Sequence, residues 1–348
     1  ADDEQRAATH HRACNLCEAI CGLAIEVRGG EILAIRGDRD DPFSRGHVCP
    51  KAVALQDLHN DPDRLRQPLR REGSEWRTVV WEEALDEAAR QIRGVQARHG
   101  RDAVAVYLGN PTVHNWGALL FAPALIRCLH TVNCFSATSV DQLPHHVAAA
   151  LMFGHKLLLP VPDVDRTQHL LMLGANPLVS NGSMMTAPGI RRRLAELRAR
   201  GGSLVVVDPR RTETAAIADR HHFIRPGTDA LLLAALLRTI FDEGLARPGR
   251  LAAWCDGVEV LPGLLAGFEP RRVAEATGIA AEDIVAMARS FATAPAAVCY
   301  GRMGVSTQSF GSLCQWLINL LNIVTGNLDR AGGAMFTTPA VDLVARTG

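Results

Sequence analysis

From about residue 103 onward, short apolar runs alternate with stretches of helical periodicity. Val104–Leu108, His169–Leu173, Leu204–Val207 and His222–Ile224 are dominated by apolar residues, the pattern of strands covered on both faces in a mostly parallel sheet. Each run exits into small or polar residues: Gly109-Asn110-Pro111, Gly174-Ala175-Asn176-Pro177, Asp208-Pro209-Arg210-Arg211 and Arg225-Pro226-Gly227-Thr228-Asp229. Between the second and third runs, Ile190, Leu194 and Leu197 stand at i, i+4 and i+7, with Arg191, Arg192, Arg193 and Arg198 mainly on the other faces. That spacing predicts an amphipathic helix and completes a βαβ unit. Asp229–Phe241 is almost wholly apolar and predicts a buried helix. Earlier in the chain, Leu23–Val27 and Ile32–Ile35 flank Arg28-Gly29-Gly30-Glu31, a hairpin signature. Thr78-Val79-Val80 leads into a helix from Trp81 with Leu85, Ala88, Ala89 and Ile92 apolar, and Thr78 is placed to donate or accept near its start.

Composition narrows the function classes. A chain of 348 residues forms two or three domains. The 37 basic residues balance 37 acidic ones, so no polyanion-binding surface, and no nucleic-acid partner, is expected. No apolar stretch reaches the roughly 18 residues that a membrane span needs, so no direct membrane insertion is expected. The acidic start, Ala1-Asp2-Asp3-Glu4-Gln5-Arg6, has no apolar signal core, and nine Cys is an odd number. Both point to a reducing, cytoplasmic setting. Among the basic residues 35 are Arg and only two are Lys, Lys51 and Lys156.

The chemistry concentrates in two places. Cys14-x2-Cys17-x3-Cys21 is followed after 27 residues by Cys49-Pro50. Three thiolates on one tight loop, with a fourth returned by a hairpin, suit the corners of a 4Fe-4S cluster. Structural zinc uses the same kind and number of ligands but usually in two separated Cys-x2-Cys knuckles. The second place is the set of strand ends, where ligands of doubly wound sheets bind. Gly174 permits close backbone approach and Asn176 offers a bidentate amide. Asp208 and Asp229 offer acceptors, while Arg210 and Arg225 offer cations for phosphate. No Gly-x-Gly-x-x-Gly follows the first strand and no Walker loop is present, which argues against ordinary NAD or ATP binding.

The order of these motifs, four cysteines with Cys49-Pro50-Lys51, then Gly174-Ala175-Asn176-Pro177, Asp208-Pro209-Arg210-Arg211-Thr212 and Arg225-Pro226-Gly227-Thr228-Asp229, resembles the molybdopterin oxidoreductase family. Dimethyl sulfoxide reductases, molybdenum formate dehydrogenases and bacterial nitrate reductases belong to it. Gly301-Arg302-Met303-Gly304 with Ser306, Thr307 and Gln308, and the segment from Leu320 through Thr325-Gly326-Asn327 to Gly333, extend the likeness to about Met335.

The resemblance implies an α/β fold: a small N-terminal antiparallel β iron-sulfur domain (1–60), a discontinuous first α/β domain (61–135 and 294–348), and a doubly wound, mostly parallel dinucleotide-binding domain (136–293). It implies a 4Fe-4S cluster on Cys14, Cys17, Cys21 and Cys49, and molybdenum or tungsten held by two pyranopterin guanine dinucleotides. Lys51 matches a relay between cluster and pterin. Gly174, Asn176, Asp208, Arg210 and Asp229 match positions that hold one dinucleotide. Gly301, Met303, Gly304 and Gln308 match a loop near the metal.

Aligned to the formate dehydrogenase pattern, Asp141 takes the place of the protein ligand to molybdenum. A helix N-cap is its ordinary alternative, and Ser139 and Cys134 are rival ligands. Gln142 stands where formate dehydrogenases have a His, and Trp316 aligns with their active-site Arg. Formate oxidation is therefore disfavoured, and an oxyanion or an S- or N-oxide undergoing oxygen-atom transfer is expected instead. His145 and His146 are possible proton sources, though helix histidines are more often packed or solvated. Family catalytic subunits continue beyond this late motif through a C-terminal domain; this domain is expected to be absent here, and the expected partners are a redox partner protein or electron-transfer subunit and a separate C-terminal portion. Two rivals share the family: a non-catalytic iron-sulfur subunit resembling the large subunit of respiratory complex I, and a non-redox hydratase.

Overall fold

The structure, a computed structural model, describes residues 6–109, 111–339 and 342–347. Asn110, part of the first predicted strand exit, lies outside the described residues, as do 1–5 of the acidic start. The chain divides into two compact units, Ala1–Ala137 and Thr138–Gly348.

In the first unit β1 (Ala8–Ala13), β2 (Gly22–Arg28) and β3 (Glu31–Gly37) form an antiparallel sheet in that order. The predicted hairpin is present. Gly29 and Gly30 turn the chain at φ +56° and +82°, a region that side chains other than glycine's enter at a cost. Leu23 and Ile35 bury one face of the sheet against the cysteine loop. β4 (Leu69–Glu72) and β5 (Glu75–Thr78) make a second hairpin. The helix Trp81–His99 follows, entered from extended Val80, and Thr78 closes β5 rather than capping that helix. β6 (Val106–Leu108) pairs in parallel with β7 (Cys134–Ser136). This strand starts two residues later than its apolar run, because Val104 still bonds back to Arg101 in a short 3-10 turn.

The second unit is built on four parallel strands: β9 (His169–Leu173), β10 (Ser203–Val207), β11 (Arg220–His222) and β12 (Ala297–Gly301), in the order β11-β10-β9-β12. A ribbon of β8 (Val161–Pro162) and β13 (Ala334–Met335) lies beside them in sequence. Leu171, Leu173, Val205, Val207, Ala297 and Cys299 pack into one apolar cluster with the helix Asp229–Asp242. Leu170, Met172, Leu204, Val206, Val298 and Tyr300 pack into another with the helix Ile190–Ala199. Alternate side chains thus find cover on both faces, which is why the strands read as unbroken apolar runs. The helix Asp229–Asp242 is buried as expected.

Two expectations shift. The last strand of the first half-sheet is Arg220–His222, because the ladder ends where Asp208 N–H donates to His222 C=O at 3.1 Å, and Ile224 is buried beyond it. Residues 294–348 were expected with the first α/β domain, yet Ala297–Gly301 pairs along its whole length with β9 and so completes the second unit's sheet. An apolar central strand such as β9 needs a partner on both edges, and β12 is that partner.

His169, at the start of β9, is 4% exposed. Its Nδ1 lies 2.8 Å from Ser203 Oγ and its ring meets Phe291 edge to face at 5.9 Å. Burial lowers its pKa from 6.5 to about 4. A base kept neutral by burial stabilises the fold fully above pH 6.5, and this contribution is lost as pH falls from 6.5 toward 4. At pH 4.5 the expected loss is about 2.5 kcal/mol. Urea unfolding of wild type and His169→Gln at pH 7.0 and 4.5 measures it, and the variant's pH difference should be smaller by about that amount, His145 supplying part of the rest; an unchanged pH slope in the variant would refute the assignment.

Candidate functional site

The cysteine loop is closed by Cys14 N–H donating to Cys21 C=O at 2.8 Å, and by Ile20 N–H donating to Cys17 C=O at 3.1 Å. Cys49 sits in extended conformation just before the short helix Pro50–Val53, and Ala52 N–H donates to its carbonyl. All four cysteines belong to one small apolar cluster with Leu16, Leu23, Ile35 and Ala52. Burial raises the Cys21 thiol to about 11, and the thiols of Cys14, Cys17 and Cys49 push it further. Burial likewise raises Cys14, with Lys51 acting in the opposite sense. The desolvated thiols of Cys14 and Cys21 resist ionising unless a positive centre replaces their protons, as an iron-sulfur cluster would. Four thiol donors on one small apolar cluster, with Cys14 and Cys21 buried, suit an iron-sulfur cluster.

In the second unit the chain moves from β9 to β10 on one side, and β12 joins β9 on the other. The carboxyl ends of β9 and β12 thus flank the point at which the strand order reverses, where open α/β sheets bind ligands. A cavity of about 320 Å³ lies there. Asp141, Gly174, Asn176, Asp208, Arg210, Met303 and Gly304, all expected from the sequence, line it, together with Ser183, Thr212 and Arg302.

Its floor is two touching backbones. Gly174, at φ +54°, accepts a hydrogen bond from Gly304 N–H at 2.9 Å, and a Cβ on either residue would stand 2.7–2.8 Å from the other's backbone. A flat backbone cradle of this kind, with the exposed Arg210 guanidinium at the edge and the Asp208 carboxylate 8% exposed, fits an extended phosphate-bearing ligand.

Several expected residues act differently. Asn176 spends its amide inside the protein: Nδ2 donates to Glu213 Oε2 at 2.7 Å, and Oδ1 accepts from Thr214 N and Oγ1 at 3.2 and 2.8 Å. It ties the turn after β9 to the turn after β10. Asp208 Oδ1 accepts from Arg210 N–H at 2.8 Å, bending its own loop. Gln308 Nε2 donates to Asp229 Oδ2 at 2.8 Å, and neither residue lines the cavity. Burial raises the Asp229 carboxyl, partly offset by this bond. Gly301 lines a separate cavity of about 30 Å³ with His145 and Tyr300.

Asp141 ends the short helix Thr138–Asp141, and the next helix, Leu143–Phe153, starts after Gln142. The N-cap is therefore Gln142, with no side-chain cap bond, and Asp141 instead turns to Arg302. Gln142 is not in the cavity lining. Of the rival ligands, Cys134 is exposed in β7 of the first unit and Ser139 is not part of the lining. Trp316 packs against the main core and lines two other, apolar cavities, so the position expected to lack a cation is not at this site. The cation beside Asp141 is Arg302, 5% exposed. It stands inside the Gly301-Arg302-Met303-Gly304 motif, and an Arg at an apolar strand exit was the available signal. His145 is neutral at pH 7: burial first, then Arg302, lowers it to about 4, and its ring nitrogens lie 3.2 Å from Gly301 O and 3.3 Å from Ser306 Oγ. His146 Nδ1 lies 2.8 Å from Lys156 O. Both histidines are thus tied into the fold rather than poised to supply protons.

Comparison with known proteins identifies the family. Residues 7–61 match the molybdopterin oxidoreductase Fe4S4 domain, and residues 64–342 match the molybdopterin oxidoreductase family. The chain is 28% identical to a periplasmic nitrate reductase of Desulfovibrio desulfuricans over 93% of its length and 44% of that protein's. It is 27% identical to formate dehydrogenase H of Escherichia coli over 91% of its length and 44% of that protein's. Acetylene hydratase from Pelobacter acetylenicus shares the fold with a TM-score of 0.76 at 24% identity, over 94% of this chain and 45% of that one. The chain thus spans less than half the length of these relatives. The family carries an Fe4S4 cluster and a molybdopterin cofactor, and with both matches falling in order along it, this chain belongs to the molybdopterin oxidoreductase family.

Proposed function

We propose that this chain carries the metal- and cluster-binding part of a molybdenum or tungsten bis-pyranopterin guanine dinucleotide oxidoreductase acting by oxygen-atom transfer on an oxyanion or an S- or N-oxide. The observation that carries the reading is the convergence, at the switch point of the parallel sheet, of the Asp141 carboxylate with the Gly174–Gly304 backbone cradle, Asp208 and Arg210. When bound, the cofactor supplies a two-electron metal centre able to give or take an oxygen atom. The cradle would admit the flat ligand, Arg210 would meet its phosphates, and Asp208 would offer an acceptor to its ribose or guanine. Asp141 offers the metal a hard oxygen donor. Cys14, Cys17, Cys21 and Cys49 would hold the cluster, which would supply electron transfer with a redox partner protein in a reducing compartment.

Similarity does not separate nitrate reductases from formate dehydrogenases, since both lie at 26–28% identity. The reading against formate comes from the sequence at Gln142 and Trp316, and neither residue lines the cavity. The test is metal, acid-labile sulfide and pterin analysis of the full-length, naturally matured protein, followed by a viologen screen. Nitrate, dimethyl sulfoxide and trimethylamine N-oxide are offered with reduced dye, and formate with oxidised dye. Iron, sulfide, molybdenum or tungsten, and re-oxidation of reduced dye by one of the first three are expected. Formate-driven dye reduction would overturn the substrate class. Protein with iron but without molybdenum, tungsten or pterin would favour the scaffold reading, and zinc without iron would end the cluster assignment. Turnover of acetylene without any electron acceptor would favour a hydratase.

Lys51 is exposed on the helix after Cys49, and its charge acts on the Cys14 thiol. As a relay it would contribute one charge-assisted hydrogen bond, about 1.5 kcal/mol. Lys51→Ala should therefore slow dye-linked reoxidation by about tenfold while sparing iron and pterin content. Unchanged reoxidation in a stopped-flow experiment would remove the role.

A further inference from the structure

Tyr300, Gly301 and Arg302 carry the chain out of β12, and the first and third of these act on the same loop. The segment 181–186 holds Asn181, Gly182, Ser183 and Thr186 in the left-handed region, at φ +53°, +85°, +52° and +48°. Three of these are not glycine, and such conformations persist only where surrounding contacts over-determine them. The Tyr300 hydroxyl supplies two of those contacts: it donates to Gly182 C=O at 2.7 Å and accepts from Met185 N–H at 3.1 Å, in a buried position. Held this way, the loop presents Ser183 Oγ to Arg302, whose Nε and Nη2 both donate to it, at 3.0 and 2.9 Å. The opposite side of the same guanidinium reaches Asp141: Nη1 donates to its carbonyl at 2.9 Å, and Nη2 lies 3.4 Å from Oδ2. The Arg302 side chain is 7% exposed. A planar fork fixed on both edges has no freedom left to turn, and it constrains the backbone and one carboxylate oxygen of Asp141 together.

We propose that Ser183 and Arg302 are positioning residues that fix the orientation of the Asp141 carboxylate toward the cavity, with Tyr300 locking the loop that makes Ser183 available. This rests on the reading of Asp141 as the metal's protein ligand. With Oδ2 engaged by Arg302, Oδ1 is the oxygen left to the cavity, so one geometry of the carboxylate is selected before any metal is bound. A lysine at 302 would keep the charge but lose the fork, and an alanine at 183 would keep the loop backbone but remove the anchor of the guanidinium.

The experiment uses the full-length, matured holoenzyme as the wild type and as Ser183→Ala, Arg302→Lys, Tyr300→Phe and Asp141→Ala. Metal-edge X-ray absorption counts the oxygen neighbours of the metal, EPR of the pentavalent metal reports how many geometries coexist, and the unfolding midpoint reports the fold. Asp141→Ala should lose one oxygen neighbour outright. Ser183→Ala and Arg302→Lys should keep metal and pterin content and split the single EPR species into two or more, with part of that oxygen shell lost. Tyr300→Phe should do the same more weakly. Wild-type spectra in Ser183→Ala and Arg302→Lys beside an altered Asp141→Ala would overturn the positioning role alone, whatever the midpoint does. Full retention of the wild-type signature by Arg302→Lys would reduce Arg302 to a charge partner, which also overturns it. A wild-type oxygen shell in Asp141→Ala would instead overturn the ligand reading, and this inference with it. If Arg302→Lys fails to fold, Ser183→Ala decides, since it deletes one oxygen from a half-buried side chain.

Discussion

Gly174→Ala should destabilise the second unit by about 2–5 kcal/mol and empty the protein of its dinucleotide. Two independent costs act at this position. The residue sits at φ +54°, where a Cβ costs roughly 1–2 kcal/mol. The new methyl would also stand 2.8 Å from the Cα and carbonyl carbon of Gly304 and from Val305 N. These are backbone atoms, so no rotamer change relieves the contact, and overpacking of this kind costs about 1–3 kcal/mol. Gly304→Ala meets the same wall from the other side, 2.7 Å from Gly174 Cα, but its own φ is not left-handed. It should therefore cost less than Gly174→Ala by roughly the 1–2 kcal/mol of conformational strain. The two lesions share one contact, so once one methyl has pushed the strands' ends apart the second finds part of its space made, and the double variant should cost less than the sum. Denaturant unfolding of all three variants, with pterin content measured in parallel, gives the comparison. A loss below about 1 kcal/mol for Gly174→Ala would mean that the two strand ends are not held in contact.

The same site explains what could be read along the chain and what could not. The strands of the second unit were legible because burial on both faces leaves only apolar residues. Their exits were legible because Gly174, Asn176, Asp208 and Arg210 break that pattern abruptly. The N-terminal hairpin was legible in Gly29 and Gly30, and the cluster in four cysteines of unequal spacing. The pairing of β12 with β9 was not, since strand order is set by packing between segments more than a hundred residues apart, and no local signal encodes it. Assigning 294–348 to another domain followed from this. Partnership was also hidden. Asn176 reads as a ligand-binding amide until Glu213 and Thr214 are found against it, and Asp229 reads as an acceptor until Gln308 is found donating to it. Trp316 was taken for the position of a missing cation, while the actual cation, Arg302, lay fourteen residues earlier in a motif already noted for its glycines.

The largest effect on chemistry is expected from Asp141→Ala, which should lower turnover by more than about 100-fold, since loss of even an outer partner of a metal costs 10–100-fold. Pterin and iron content should be unchanged, because the cradle, Arg210 and the cysteines do not involve this side chain. One confounding effect must be separated. Asp141 is the carboxylate facing the nearly buried Arg302, at 3.4 Å, and removing it leaves that guanidinium with only the Asp141 carbonyl and Ser183 Oγ as acceptors. Stranding a buried charge costs about 3–5 kcal/mol, and less here because the Asp141 side chain is 24% exposed and water can take its place. A fall in turnover caused by instability would shrink at low temperature and would follow the unfolding midpoint. Asp141→Asn divides the two effects further: it keeps the volume and a hydrogen-bond acceptor for Arg302 but offers the metal a neutral amide oxygen in place of an anionic one. It should restore most of the lost stability and little of the lost turnover. Recovery of both together would make Asp141 a partner of Arg302 only, and full turnover in Asp141→Ala itself would remove the residue from the reaction.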